Sequence, residues 1–102
     1  MREDSLILTF LQTQKSLRSL SAHTLLAYER DLMQLQAFVS RLGASLLELT
    51  REDARMYVRY LVKEKQYSQA SINRKISCAR SFYSSLLKDE AVSSNPFSLI
   101  AV

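Results

Sequence analysis

The sequence predicts an all-α domain, a compact four-helix bundle, on three observations. Its 102 residues hold one Gly and one Pro, too few turn formers for a β-rich or Rossmann-like chain. Apolar residues return at steps of three and four in four separate stretches, the period of an amphipathic helix. Three of those stretches open on a Ser or Thr suited to an N-cap, Ser21, Thr50 and Ser68. The length fits one domain with a single modest core.

The first helix is expected over residues 5–17, with Leu6, Phe10 and Leu17 on one stripe and Ile7 and Leu11 beside it. The second follows Ser21 and runs to about Leu42, where Gly43 suits the residue after the cap. Leu25, Tyr28, Leu32, Leu35, Val39 and Leu42 form its core face, and Asp31 falls on the core side. A short apolar connector, residues 45–49, is expected to pack on the core. The third helix opens at Thr50, with Asp53 completing a variant capping box, and turns Ala54, Tyr57, Val58 and Leu61 inward. The fourth is capped by Ser68 and buries Ile72, Ile76, Ala79, Tyr83 and Leu86. Its stop is expected at Asn95–Pro96, because the residue before proline avoids helix. The remaining "VSSNPFSLIAV" reads as an extended tail or the start of a linker.

The fourth stretch, "SQASINRKISCARSFYSSLLK", carries four basic residues and no acid. Solvated helix faces ordinarily mix both signs. On a helical wheel, Ser71, Arg74, Cys78 and Ser81 are expected opposite its buried side, flanked by Asn73 and Lys75, with Arg80 further round. The second helix has a matching strip of His23, Ala27, Arg30, Gln34 and Arg41, and Thr24 sits in its first turn, where the helix dipole favours an anion. Small residues allow close approach, and Arg, Lys, Asn and Ser supply donors for phosphate or base edges. The net charge of +4 agrees with a nucleic-acid partner. By spacing alone the same strips also read as solvated surface, Cys78 as a small core filler and the aromatics, Tyr67 among them, as core or rim.

Enzymatic signatures are missing. No glycine-rich phosphate loop, HExxH or nucleophile elbow occurs, and one histidine leaves little for acid–base chemistry. A lone Cys78 gives neither a disulfide framework nor a zinc cluster. No apolar run approaches the length of a membrane span, and the acidic "MREDSLILTF" does not look like a signal peptide. No cofactor, metal or small-molecule substrate is expected, and the reading is a cytoplasmic protein without a membrane partner.

Residues 20–39, 49–61 and 67–97 carry motifs in a familiar order. Ser21, Thr24, Tyr28, Asp31 and Leu32 are similar to a Ser-x-x-Thr-x-x-x-Tyr-x-x-Asp-Leu pattern. Ser71, Arg74, Ile76, Ser77, Cys78, Arg80, Phe82, Tyr83, Asn95 and Pro96 are similar to Ser-x-x-Arg-x-Leu-Ser-Ala-x-Arg-x-Phe-Tyr followed by Asn-Pro, with Ile for Leu and Cys for Ala. The chain thereby resembles the N-terminal core-binding domain of the tyrosine recombinase and phage integrase family, particularly the Xer type.

The resemblance implies a SAM-like bundle forming one half of a clamp around duplex DNA, its second and fourth helices entering the major groove of a recombination half-site. His23, Thr24, Ala27 and Arg30 would lie against DNA from one helix and Ser71, Arg74, Lys75 and Cys78 from the other, with Arg80 a candidate phosphate contact. Other recombinase protomers would be partners, often through the first helix. The family's nucleophilic tyrosine belongs to a second domain, so this chain is expected to be non-catalytic, with residues 1–94 as core-binding domain and 95–102 as the start of an interdomain linker in a longer protein. Two other readings stay open: a helical protein-interaction domain without DNA binding and, less compatible with such long helices, a helix-turn-helix repressor.

Overall fold

A computed structural model describes residues 3–100. Among the described residues there are four α-helices and no strand: α1 (Glu3–Arg18), α2 (Ala22–Arg41), α3 (Arg51–Arg59) and α4 (Gln69–Lys88). A 3-10 turn, Leu46–Glu48, precedes α3, and a π-helical turn, Tyr60–Glu64, prolongs it.

The caps form where the sequence places them. Ser21 Oγ accepts from the Thr24 N–H at 3.2 Å, and Ser68 Oγ accepts from the Ser71 N–H at 3.2 Å. Thr50 and Asp53 exchange two bonds of 3.1 Å, a complete capping box. Gly43, with φ +74°, closes α2 in a Schellman turn in which the Ala44 N–H reaches Val39 O at 3.2 Å.

α4 ends earlier than Asn95–Pro96 led us to expect. It stops at Lys88 in the same type of turn, with Glu90 at φ 60° and the Ala91 N–H on Leu86 O at 2.8 Å. This frees the segment after it to fold back. Pro96 and Phe97 are buried, and the Asn95 side chain donates to Arg80 O at 3.0 Å and accepts from the Phe97 N–H at 3.0 Å. The expected extended tail is therefore, up to Ile100, a turn packed on α4. Ala101 and Val102, the end of the apolar "LIAV" run, lie outside the described residues.

α2 packs against the other three helices, and α4 buries more of its residues than any other helix. Phe82 of α4 meets Phe10 of α1 edge to face at 5.5 Å, and Tyr83 donates to Leu46 O at 2.7 Å while its ring lies 5.8 Å from that of Phe97. Leu46, from the expected apolar connector, is buried, and its N–H donates to the Glu3 carboxylate at 2.6 Å. Between α2 and α3, Phe38, Tyr57 and Tyr60 form an aromatic cluster with centroids 5.0–6.2 Å apart. Three expected core residues lie outside the core: Leu17 is 76% exposed in the last turn of α1, Leu42, at the cap of α2, faces solvent, and Leu25, in the first turns of α2, is only half-buried.

Candidate nucleic-acid interface

The two strips meet at the groove between α2 and α4, and a buried charge cluster holds that groove together. Asp31, in the middle of α2, is 3% exposed. Burying a carboxylate is costly unless it is paired and hydrogen-bonded. Both conditions are met from α4. Arg74 donates through Nε to Oδ2 at 3.0 Å and through Nη2 to Oδ1 at 3.1 Å, and Lys75 donates from Nζ to Oδ1 at 2.9 Å. One carboxylate faces two cations, so the cluster keeps one surplus positive charge. The bond to Asp31 pushes the Arg74 pKa still higher, against a smaller opposing effect of burial.

The two cations play different parts. The Arg74 side chain is 48% exposed, and its Nη1 group is left unused by Asp31. Lys75 is buried, with its ammonium also on Gln34 Oε1 at 2.6 Å and 4.8 Å from the centre of the Tyr67 ring. The expectation that Lys75 flanks the outer strip is corrected: it lies between the helices.

Cys78 is corrected likewise. It is 1% exposed, and its thiol points to Tyr28 O at 3.8 Å. Burial, reinforced by the nearby Asp31 carboxylate, pushes the thiol up to about 12, which makes it a core filler at working pH. The reason for both corrections is that α4 is covered on two sides. Ile72, Ile76, Ala79, Tyr83 and Leu86 are buried as expected, but Lys75, Cys78 and Phe82 are buried as well. The exposed face is thus rotated, and Ser77 and Arg74 stand on it.

On α2, His23 and Arg30 are exposed and Ala27 is half-buried. Arg30 makes no side-chain hydrogen bond or ion pair among the described residues. Thr24 is half-buried, and its N–H is taken by Ser21 Oγ, so that donor is not open to an anion. Ser71 is half-buried beside the Ser68 cap. Arg80 stands apart from the groove: half-buried, it donates to Phe97 O at 3.3 Å and to Ile100 O, tying the folded-back segment to α4.

Between these residues lies an open cleft of about 740 Å³ bordered by Ala27, Arg30, Gln34, Tyr67 and Arg74. Tyr67 reaches it through an irregularity that no sequence period signals. The π turn, closed by the Lys65 N–H on Tyr60 O at 3.1 Å, and Gln66 at φ 54° swing the chain back so that Tyr67 lies under α2 and α4. Tyr67 and Ser77 are the residues of this face that helical periodicity did not single out. Among the described residues no group of three or more His, Cys, Asp or Glu side chains is placed to hold a metal, and no helix is long and apolar enough to cross a membrane.

A family model described as phage integrase, N-terminal SAM-like domain, matches residues 7–90. The chain is 36% identical over 101 residues to tyrosine recombinase XerC of Listeria welshimeri, which covers 98% of the chain and 33% of that protein. Identity to tyrosine recombinase XerC of Pediococcus pentosaceus is 37% over 97 residues, 93% of the chain and 32% of the relative. Against tyrosine recombinase XerD of Rickettsia bellii it is 34% over 87 residues, 85% and 28%. The chain thus spans about a third of the length of these curated relatives. No solved structure gave a match.

Proposed function

Since this chain belongs to the phage integrase N-terminal SAM-like domain family, we propose that it is the DNA-binding, non-catalytic part of a tyrosine recombinase and holds duplex DNA with α2 and α4, in the major groove of a recombination half-site. The observation that carries this reading is the acid-free exposed face of α4 beside Arg30 of α2, with the one nearby core acid, Asp31, buried behind Arg74. A cationic face free of acids attracts phosphate, and Arg74 held in a fixed orientation suits bidentate contact with phosphate or guanine. His23, Thr24, Ala27, Arg30, Ser71 and Arg74 border the proposed contact. Lys75 and Cys78 support it from behind, and Arg80 holds the chain's exit rather than the DNA.

In the same reading, residues 1–94 form the core-binding domain and 95–102 lead toward a second domain that would carry the strand-exchange chemistry. Leu8 and Leu17, 55% and 76% exposed on opposite sides of α1, each offer a small apolar surface to neighbouring protomers. These surfaces also favour the second reading, a protein-interaction domain that never touches DNA.

A salt titration separates the two. Lys and Arg release condensed counterions from DNA, so the logarithm of affinity should fall linearly with that of salt. Half a clamp should bind random duplex weakly, with Kd on the order of 10⁻⁴–10⁻⁶ M at physiological salt. The double variant Arg30→Glu/Ser77→Glu touches two exposed positions outside the Asp31 cluster and should abolish this binding at unchanged fold. Binding that survived both changes would put the DNA elsewhere or favour the protein-interaction reading.

A further inference from the structure

We propose that Tyr67 is a DNA contact, its hydroxyl donating a hydrogen bond to a phosphate oxygen at the mouth of the α2/α4 cleft beside Arg74; this rests on the DNA-binding reading above. Lys75, Gln34 and Tyr67 form a chain of hydrogen bonds whose directions are fixed at one end. A lysine ammonium has donors and no acceptor. Lys75 Nζ lies 2.6 Å from the Gln34 side chain, so the amide oxygen of Gln34 faces it. The amide nitrogen must then point the other way, and it meets Tyr67 Oη at 2.9 Å. An amide NH₂ also only donates, so the phenol oxygen accepts, and its own hydrogen is left over.

That hydrogen has no acceptor among the described residues and borders an open cleft. Tyr67 is only half-buried, and its ring is held by the Lys75 ammonium 4.8 Å from its centre. The phenol is therefore a pre-oriented neutral donor. Arg74, whose Nη1 Asp31 leaves unused, borders the same cleft. A neutral donor and a cation beside one another suit an anionic oxygen that accepts more than one bond, as a phosphate does. Glu29 is the acid at the cleft's rim, and it is exposed; Asp31 is neutralised by its two cations.

The chemistry gives this contact a signature of its own. A neutral hydroxyl displaces no counterion, so its removal should weaken binding without changing the salt slope, whereas loss of a cation lowers the slope by about 1. The experiment is a titration of wild type, Tyr67→Phe and Arg30→Glu with the same duplex at several salt concentrations, repeated with duplexes bearing single neutral methylphosphonates. Expected is a loss of roughly 10- to 150-fold in Tyr67→Phe with the slope kept, the size of one hydrogen bond to a charged acceptor. At one methylphosphonate position wild type should weaken and Tyr67→Phe should not weaken further. Salt-sensitive wild-type binding, diminished in Arg30→Glu but equal in Tyr67→Phe, would overturn the Tyr67 contact and leave the DNA reading standing. A changed slope in Tyr67→Phe would overturn it too, because the effect would then pass through Lys75. No wild-type binding at any salt would remove the DNA reading and the contact with it.

Discussion

Asp31 Oδ1 lies 2.9 Å from Lys75 Nζ, and the two side chains are 2% and 9% exposed, so this ion pair joins α2 to α4 inside the protein. Arg74 closes the same carboxylate from the solvent side. The pairing neutralises a buried acid and fixes the orientation of an arginine at the α2/α4 cleft.

The pair's asymmetry predicts unequal mutational costs. Asp31→Asn leaves Lys75 buried without its counter-charge, which should cost about 3–5 kcal/mol, the usual result of breaking a buried pair from one side. Lys75→Met leaves Asp31 with its bidentate Arg74 and should cost clearly less. Urea unfolding of both variants checks the order; equal costs would mean that Arg74 does not hold Asp31 by itself.

Cys78 should behave as part of the core. With its thiol pushed up to about 12 and its side chain buried, alkylation at pH 8 should be at least about 100-fold slower than for an unfolded peptide and should track opening of the fold. Rapid labelling of the native chain would contradict its placement.

The same raised value gives stability a pH dependence. A thiol whose folded pKa lies above its unfolded value near 8.5 stabilises the fold fully below that value, and the contribution disappears as pH rises toward 12. Burial pushes the Tyr57 and Tyr83 phenols in the same direction. Thermal melts should therefore show Tm falling as pH rises above about 9, and Cys78→Ala should fall less steeply than wild type. Parallel curves would show that the thiol contributes nothing there.

The folded-back segment should count in stability. Phe97 is 0% exposed and lies against Tyr83, so Phe97→Ala should cost about 3–5 kcal/mol. Asn95→Ala, which removes the bonds to Arg80 O and the Phe97 N–H, should cost about 1–2 kcal/mol. A free tail would tolerate both changes.

Much of this was legible in the sequence. Ser21, Thr50 and Ser68 announced three helix starts because a cap is a local interaction, readable from one residue and its near neighbours. The inward faces of α2 and α4 followed from periodicity. Periodicity falters where one helix is covered from several sides, which is why it places Cys78 on the outer strip and Lys75 at its flank: an alkyl stem with a charged tip looks like surface until a buried acid such as Asp31 is placed opposite it. Periodicity places Asp31 on the core side, but its partners, 43 and 44 residues away, are tertiary facts. Tyr67 depends on a π turn and a left-handed Gln66, which leave no periodic trace. The early stop of α4 was hidden because a Schellman turn closed on Glu90 instead of the usual glycine.

The central claim is that duplex DNA lies on the face shared by α2 and α4. Backbone amide NMR of the chain, titrated with a short duplex at low salt, tests it most directly. The account predicts shifts concentrated at residues 23–34, at 67 and along the exposed side of 70–77, receding as salt is added, with α1 and the Phe38–Tyr60 cluster unmoved. Shifts centred on α1 or around Leu99, or none at all at low salt, would contradict it.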